Sequence, residues 1–111
     1  MNRGEVWWAQ LPGLKGRRPV LLLTRTAVIG YRTSVTVAPL TRTIREIRSH
    51  VRLGANDGVP KESAVNLDDL QTIAKKRLVR HVTTLSRSRM QQVDEAIRFA
   101  LALPPFQKDA P

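Results

Sequence analysis

Three groups of polar residues stand beside apolar runs and are of types that can act on a phosphate ester. They are Arg18 before Pro19, Thr41 at the end of APLT, and the pair Asp68-Asp69 after AVNL. A guanidinium can hold two phosphate oxygens with paired hydrogen bonds, a threonine hydroxyl can donate one more, and an ionised carboxylate can accept a proton. Cysteine is absent, which excludes thiol nucleophiles and thiolate metal ligands. Any chemistry therefore rests on oxygen and nitrogen groups.

The charge of the chain indicates what kind of partner it binds. The 111 residues carry 19 Lys plus Arg against 9 Asp plus Glu, a formal net charge of +10, and 41% of them are hydrophobic. That apolar fraction is enough for one packed core, so the chain is not a disordered basic tail. Fourteen of the cations are Arg, whose planar fork suits phosphate and base contacts better than Lys does. Nucleic acid is therefore the first expected partner, ahead of an acidic protein.

The elements that position these residues are predicted to be mostly strands. Short apolar or alternating runs, separated by Gly, Pro, Asn and Asp, predict strands within six segments: 5–11, 18–25, 34–41, 42–53, 64–67 and 77–85. Pro39, near the end of the third run, predicts an edge strand or a bulge. Helical spacing appears from Ser88, with Gln91 as its capping-box partner, and continues until Pro104. No other segment is predicted to be helical.

These elements predict a single domain, 1–111, with its core at about 3–103 and a tail at 104–111. The fold class is mainly β, a small barrel of antiparallel strands with a C-terminal helix on one side. No apolar run approaches the roughly 20 residues of a membrane span, and the first residues lack the apolar core of a signal peptide. The expected location is the cytoplasm.

Several motifs, taken in order, resemble the MazF/PemK family of toxin endoribonucleases. They cover about residues 3–103 and read RGEVWWAQL at 3–11, RPVLLLT at 18–24, VAPLT at 37–41, VNLDDLQTI at 65–73, KRL at 76–78 and VDEAIRFALAL at 93–103. The resemblance implies an SH3-like barrel that forms a homodimer and is neutralised by an acidic cognate antitoxin. It implies metal-independent, cofactor-free and sequence-specific cleavage of single-stranded RNA, messenger RNA first, which leaves a 2',3'-cyclic phosphate and a 5'-hydroxyl and inhibits growth.

The resemblance also implies roles for particular residues. Arg18 and Thr41 match the catalytic Arg and Thr of the family, and Asp68 falls where some members place a catalytic carboxylate. The cations of 42–53 could form a solvated face or a groove that follows RNA phosphates. Because the whole chain is so basic, the groove is the favoured interpretation. Six residues are expected to bind RNA: Arg17, Arg42, Arg45, Arg48, Arg52 and Gln71. Trp7 and Trp8 must point to opposite faces of their strand, one into the core and one to a dimer interface or a base.

Two departures from the family pattern bear on the mechanism. The loop 12–17 is short and holds no Glu, although relatives often carry an acidic group there, and Asp68-Asp69 replaces the more usual Asp-Gln. The general base therefore stays open, with His50 as a candidate besides Asp68. Two other functions also stay open: a non-enzymatic toxin of the CcdB-like type that binds gyrase, and a small barrel that binds RNA without cleaving it. Arg18 and Thr41 argue against the gyrase binder, which has no need of them.

Overall fold

The computed structural model describes residues 1–13 and 15–104, and in this part of the chain seven strands and two α-helices are present. The strands are β1 (Glu5–Ala9), β2 (Arg18–Leu22), β3 (Ser34–Thr41), β4 (His50–Leu53), β5 (Ser63–Asn66), β6 (Gln71–Ala74) and β7 (Leu78–Thr84). The helices are α1 (Thr26–Ile29) and α2 (Arg87–Ala100), and short 3-10 turns cover Ala55–Asp57 and Lys75–Arg77.

The strands form one antiparallel sheet in the order β4-β5-β3-β2-β1-β7, and β6 pairs with β3. α2 packs against β4. The predicted fold class, an antiparallel β protein with a C-terminal helix, is therefore confirmed. β6 and the single-turn α1 were not predicted, because four residues are too few to show a period.

The central strand of the sheet is β3, so the prediction that Pro39 marks an edge or a bulge is wrong. On one side β3 pairs with β2 throughout Val37–Pro39. On its other side β3 pairs with β6 over residues 34–37 and with β5 over residues 40–41. Pro39 lies where this neighbour changes, and there the absence of a backbone N–H interrupts no ladder.

Apolar side chains are buried on both faces of the sheet. Leu21 belongs to a core shared with α2, whereas its neighbours Val20 and Leu22 belong to a second core on the opposite face. All three are fully buried. A strand covered on both faces has a continuous apolar sequence, which explains why β2 reads PVLL over residues 19–22 without alternation.

α2 begins two residues earlier than predicted. Its N-cap is Ser86, whose hydroxyl accepts a hydrogen bond from the backbone N–H of Arg89 at 3.2 Å, so the prediction that Ser88 caps the helix is wrong. Ser86 has the extended backbone that an N-cap requires. Val93 and Ala96 form the buried stripe of the helix. None of the described helices is long and apolar enough to cross a bilayer.

An ion pair ties α2 to the loop that follows β4. Asp57 accepts hydrogen bonds from Nε and Nη2 of Arg89 at 2.9 and 3.3 Å and from the backbone N–H of Gly54 at 2.9 Å. Burial alone would raise the pKa of Asp57, but these bonds outweigh it and lower the pKa below its usual value. The next residue, Gly58, has φ +84° and lies against Thr83, where a side chain would clash. The loop is therefore held in one path as it enters the segment 59–63.

The predicted tail, 104–111, falls almost entirely outside the described residues, which end at 104.

Candidate active site

Arg18 and Thr41 lie at the same end of the sheet. The ladder between β2 and β3 ends at the pair of Val20 and Pro39, and Arg18 and Thr41 each lie two residues beyond it on their own strands. The two residues that the sequence predicts to be catalytic are therefore close enough in the fold to share a cavity.

Both residues line a cavity of about 810 Å³. Three of the predicted RNA-binding residues line it as well: Arg17, Arg42 and Gln71. Five further polar or aromatic residues line it: Trp8, Lys61, Ser63, Asn66 and Asp69. Trp8 and Asp69 stand out in the sequence without being assigned to the site, whereas Lys61, Ser63 and Asn66 do not. Asn66 stands inside the motif VNLDDLQTI and could have been found there, but the segment 59–63 carries no periodic signal.

The cations of this cavity are available to a ligand. Arg17, Arg18, Arg42 and Lys61 line it together with one carboxylate, Asp69. In the described part of the chain none of these four forms a salt bridge. Four other arginines do pair with carboxylates there, namely Arg3, Arg52, Arg89 and Arg98. Four cations against one carboxylate therefore leave a net positive potential in the cavity.

The hydrogen bonds at the two central residues leave donors free. Arg18 Nη1 donates to the backbone oxygen of Arg17 at 3.2 Å, and a guanidinium has four further N–H groups. Thr41 Oγ1 accepts from the backbone N–H of Thr43 at 3.1 Å. Because this bond uses a lone pair of the hydroxyl, its hydrogen remains able to donate. Arg18 and Thr41 can thus both donate to one anion.

The two neighbouring aspartates have different surroundings. Asp68 is exposed, is absent from the cavity lining and accepts a hydrogen bond from the buried Ser49 hydroxyl at 2.5 Å. Asp69 lines the cavity and accepts from Gln71 Nε2 at 3.3 Å. The carboxylate that lines the cavity together with Arg18 is therefore that of Asp69.

The predicted row of cations in 42–53 is divided between two places. Arg42 lines the cavity described above, whereas Arg48 and Arg52 line a separate cavity of about 600 Å³ between β4 and α2, together with His50. Arg48 lies over the Phe99 ring, 4.6 Å from its centroid, and Arg52 Nε donates to Glu62 at 2.7 Å. Arg45 is exposed between β3 and β4 and lines neither cavity. Within the described residues, no three His, Cys, Asp or Glu side chains cluster as metal ligands do.

The two tryptophans do point to opposite sides. Trp7 packs against the second core, and its indole N–H donates to Glu5 Oε1 at 2.8 Å. Burial raises the pKa of Glu5, but this hydrogen bond and nearby charges outweigh it and leave the pKa below its usual value. Trp8 lines the cavity with Arg18. An aromatic surface therefore stands beside the cationic one.

Comparison with known proteins agrees with this architecture. Residues 2–101 match the family described as PemK-like, MazF-like toxin of type II toxin-antitoxin system. The probable endoribonuclease MazF5 of Mycobacterium tuberculosis is 40% identical over 100 residues, which cover 89% of this chain and 91% of that protein. The structure of the Mycobacterium tuberculosis toxin MazF-mt6 superposes with a TM-score of 0.82 at 38% identity, covering 90% of this chain and 98% of that one. A mycobacterial endoribonuclease in complex with its cognate antitoxin superposes with a TM-score of 0.85 at 28% identity, covering 94% and 97%.

Fold and site together define a small β toxin with a cationic cavity built around an Arg-Thr pair. The chain belongs to the MazF/PemK family of type II toxin-antitoxin toxins, and it is an endoribonuclease as its relatives are. The enzymatic prediction is thereby confirmed over the two non-enzymatic alternatives.

Proposed function

We propose that this toxin cleaves single-stranded RNA, chiefly messenger RNA, at short specific sequences by attack of the ribose 2'-hydroxyl on the adjacent phosphorus. The attack forms the P–O2' bond and breaks the P–O5' bond. A carboxylate takes the 2'-hydroxyl proton, and the departing 5'-oxygen takes a proton from water, so the products are a 2',3'-cyclic phosphate and a 5'-hydroxyl. This route needs no protein nucleophile, metal or cofactor. The observation that carries the proposal is that Arg18 and Thr41 line one cavity, with free donors on both residues.

Arg18 and Thr41 have complementary roles in this proposal. The crowded phosphate gains charge on its non-bridging oxygens, and Arg18 holds two of them through its planar fork. Thr41 donates one further hydrogen bond. Arg18 is not the base, because a guanidinium stays protonated at neutral pH. Arg17, Arg42 and Lys61 hold the neighbouring phosphates of the strand.

The 2'-hydroxyl proton goes to an aspartate. The sequence nominates Asp68, and the structure favours Asp69, because Asp69 shares the cavity with Arg18 whereas Asp68 is bound to Ser49. Asp69→Asn and Asp68→Asn separate the two assignments. We expect Asp69→Asn to reduce kcat at least tenfold more than Asp68→Asn does. The reverse order would return the role to Asp68.

Two partners follow from the same surface. A mycobacterial relative has been solved in complex with its cognate antitoxin. We therefore expect this chain to have a protein inhibitor as well. We propose that an acidic segment of the antitoxin lies over the unpaired cations and competes with RNA, and that the toxin acts as a homodimer in the cytoplasm. If RNA and the antitoxin still compete for the toxin at low salt, the result supports a shared surface.

The decisive experiment is cleavage of a long single-stranded RNA in EDTA, with the cut ends mapped chemically. We expect cyclic-phosphate ends from the wild type and a loss of about 100-fold or more from Arg18→Ala and from Thr41→Ala. Arg98→Ala removes an arginine paired with Glu95 on α2 and serves as the matched control. Loss of cleavage in EDTA, or cleavage of a substrate with 2'-deoxyribose at the cut position, would defeat the mechanism.

A further inference from the structure

We propose that a second cationic surface, outside the active-site cavity, binds the part of the RNA strand that extends beyond the cleaved phosphate. We call this surface the distal patch, and its central residues are Arg25, Tyr31, Arg32, Lys75 and Lys76. The inference rests on the proposed cleavage of single-stranded RNA and adds to it a second point of attachment for the substrate.

The distal patch lies at the end of the sheet where β3 begins and β6 ends. It consists of two depressions of about 700 and 370 Å³. Arg32, Ser34 and Thr72 line both of them, so the depressions adjoin and form one surface. The active-site cavity lies where β3 ends, at Thr41.

The side-chain charge of the distal patch is positive only. Arg25, Arg32, Lys75 and Lys76 line it, and no Asp or Glu of the described residues does. None of these four cations forms a salt bridge within residues 1–13 and 15–104. Lys75 Nζ donates to the backbone oxygen of Ile29 at 2.8 Å, which holds this side chain beside α1 and leaves its charge in place. Such a surface attracts a polyanion.

Tyr31 favours a nucleic acid as that polyanion. Tyr31 is 88% exposed, more than any other large hydrophobic residue in the described part of the chain. Proteins that hold single strands combine cations, which bind the phosphates, with aromatic rings on which the bases stack. The hydroxyls of Ser34, Thr36 and Thr72 add neutral groups of the kind that contact sugars and phosphates. An acidic peptide would use the cations alone, so RNA accounts for more of this surface.

β6 connects the distal patch to the active-site cavity. Gln71 lines the cavity, and the next residue, Thr72, lines the patch. Because successive strand residues point to opposite faces, the two sites lie on the two sides of β6. Among the described strands β6 pairs only with β3, so no strand covers its other edge. An RNA strand that leaves the cavity beside Gln71 reaches the patch by passing over this edge.

The length of a bound oligonucleotide separates the two sites. Single-stranded DNA of about 4 and about 16 nucleotides, the range of site sizes in small OB-fold barrels, is titrated with the wild type and followed by fluorescence anisotropy. We expect the longer strand to bind more tightly and with a steeper salt dependence, by about 0.7 in the slope of log K for each further phosphate neutralised. Equal slopes for the two lengths overturn the proposal.

Substitutions of the cations assign the additional binding to the distal patch. Arg32→Ala and Lys76→Ala should each make the slope of the longer strand less negative by about 0.7 and leave the slope of the short strand unchanged. Lys75 is kept, because it also bonds Ile29. The matched control is Arg87→Ala, which removes an exposed cation of α2 that lines neither site. If Arg87→Ala changes the slope of the longer strand as much, net charge alone explains the binding, and the patch is overturned.

Substitutions of Tyr31 test whether the occupant carries bases. Tyr31→Ala should weaken binding of the longer strand about fivefold or more, through loss of one stacked base, and Tyr31→Phe should bind as the wild type does. Heparin, a polyanion without bases, should bind Tyr31→Ala and the wild type equally. Unchanged DNA binding by Tyr31→Ala, or an equal loss of DNA and heparin binding, overturns the assignment of the patch to RNA.

These binding measurements do not depend on cleavage, because DNA lacks the attacking 2'-hydroxyl. If they succeed and RNA is not cut, the proposed function fails and the distal patch remains a site for single strands. If RNA is cut, Arg32→Ala should raise KM for a long RNA, leave its kcat unchanged and leave cleavage of a short RNA as it is. A loss of kcat on the short RNA would mean that Arg32 acts at the active-site cavity, and would overturn a separate patch.

Discussion

The division of the cations between two cavities can be measured as a salt dependence of binding. Four unpaired cations line the active-site cavity, whereas Arg48 packs over Phe99 in the other one. A single-stranded nucleic acid releases counterions on binding, with a slope of log K against log salt of about −0.7 per neutralised phosphate. If each of the four cations neutralises one phosphate, the slope is about −2.8, and affinity falls about 50-fold between 50 and 200 mM salt.

Single substitutions then distinguish the two cavities. Arg42→Ala should make the slope less negative by about 0.7 and should weaken binding most at low salt. Arg48→Ala should leave the slope unchanged. The assay is fluorescence anisotropy of a labelled single-stranded DNA, which has the phosphates but cannot be cut through a 2'-hydroxyl. Equal changes of slope in the two variants would refute the reasoning, because they would mean that the bound nucleic acid runs across both cavities.

Two further predictions concern the elements that hold the site. Ser86→Ala should lower the free energy of unfolding by about 1 kcal/mol through loss of the α2 cap, and Ser88→Ala by less than about 0.5 kcal/mol; urea unfolding compares them. Asp57→Asn should lower the free energy of unfolding at neutral pH by about 1–3 kcal/mol. The folded pKa of Asp57 is depressed, so the stabilisation is complete above the unfolded value of about 3.9 and is lost as pH falls through the lower folded value. Wild type and Asp57→Asn should therefore converge in stability across that acidic window.

Most of the sheet could be predicted because its strands have ordinary sequence signals. β3 alternates small polar and apolar residues, β2 is an apolar run, and turns rich in Gly and Pro separate them. The errors arose where tertiary pairing decides. Pro39 is tolerated in a central strand because the neighbour of β3 changes there, and no local sequence shows that change. The cap of α2 is Ser86 although Ser88 has the same chemistry, because the chain leaves β7 at Thr84 and turns at once.

Part of the candidate site followed from the same reasoning. The motifs predict Arg18 and Thr41 as site residues, and both line the same cavity. The cations between 42 and 53 could not be assigned from spacing, because a strand with alternating Arg residues looks the same whether its outer face meets RNA or a helix. Here the apolar face of β4, Val51 and Leu53, packs with α2, whereas Arg52 is exposed and pairs with Glu62, and Arg48 lies over Phe99.

One ion-paired arginine, Arg89, bears on the geometry of the cavity although it does not line it. Arg89 holds Asp57, Asp57 holds the backbone of Gly54, and the turn that they fix leads directly into Val59 and Pro60, which line the cavity. A surface pair would contribute little, but this carboxylate is largely buried and accepts three hydrogen bonds. The excess of +10 therefore has two physical roles. Cations without carboxylate partners line the cavity, and one paired cation, Arg89, keeps the turn before Val59 and Pro60 in place.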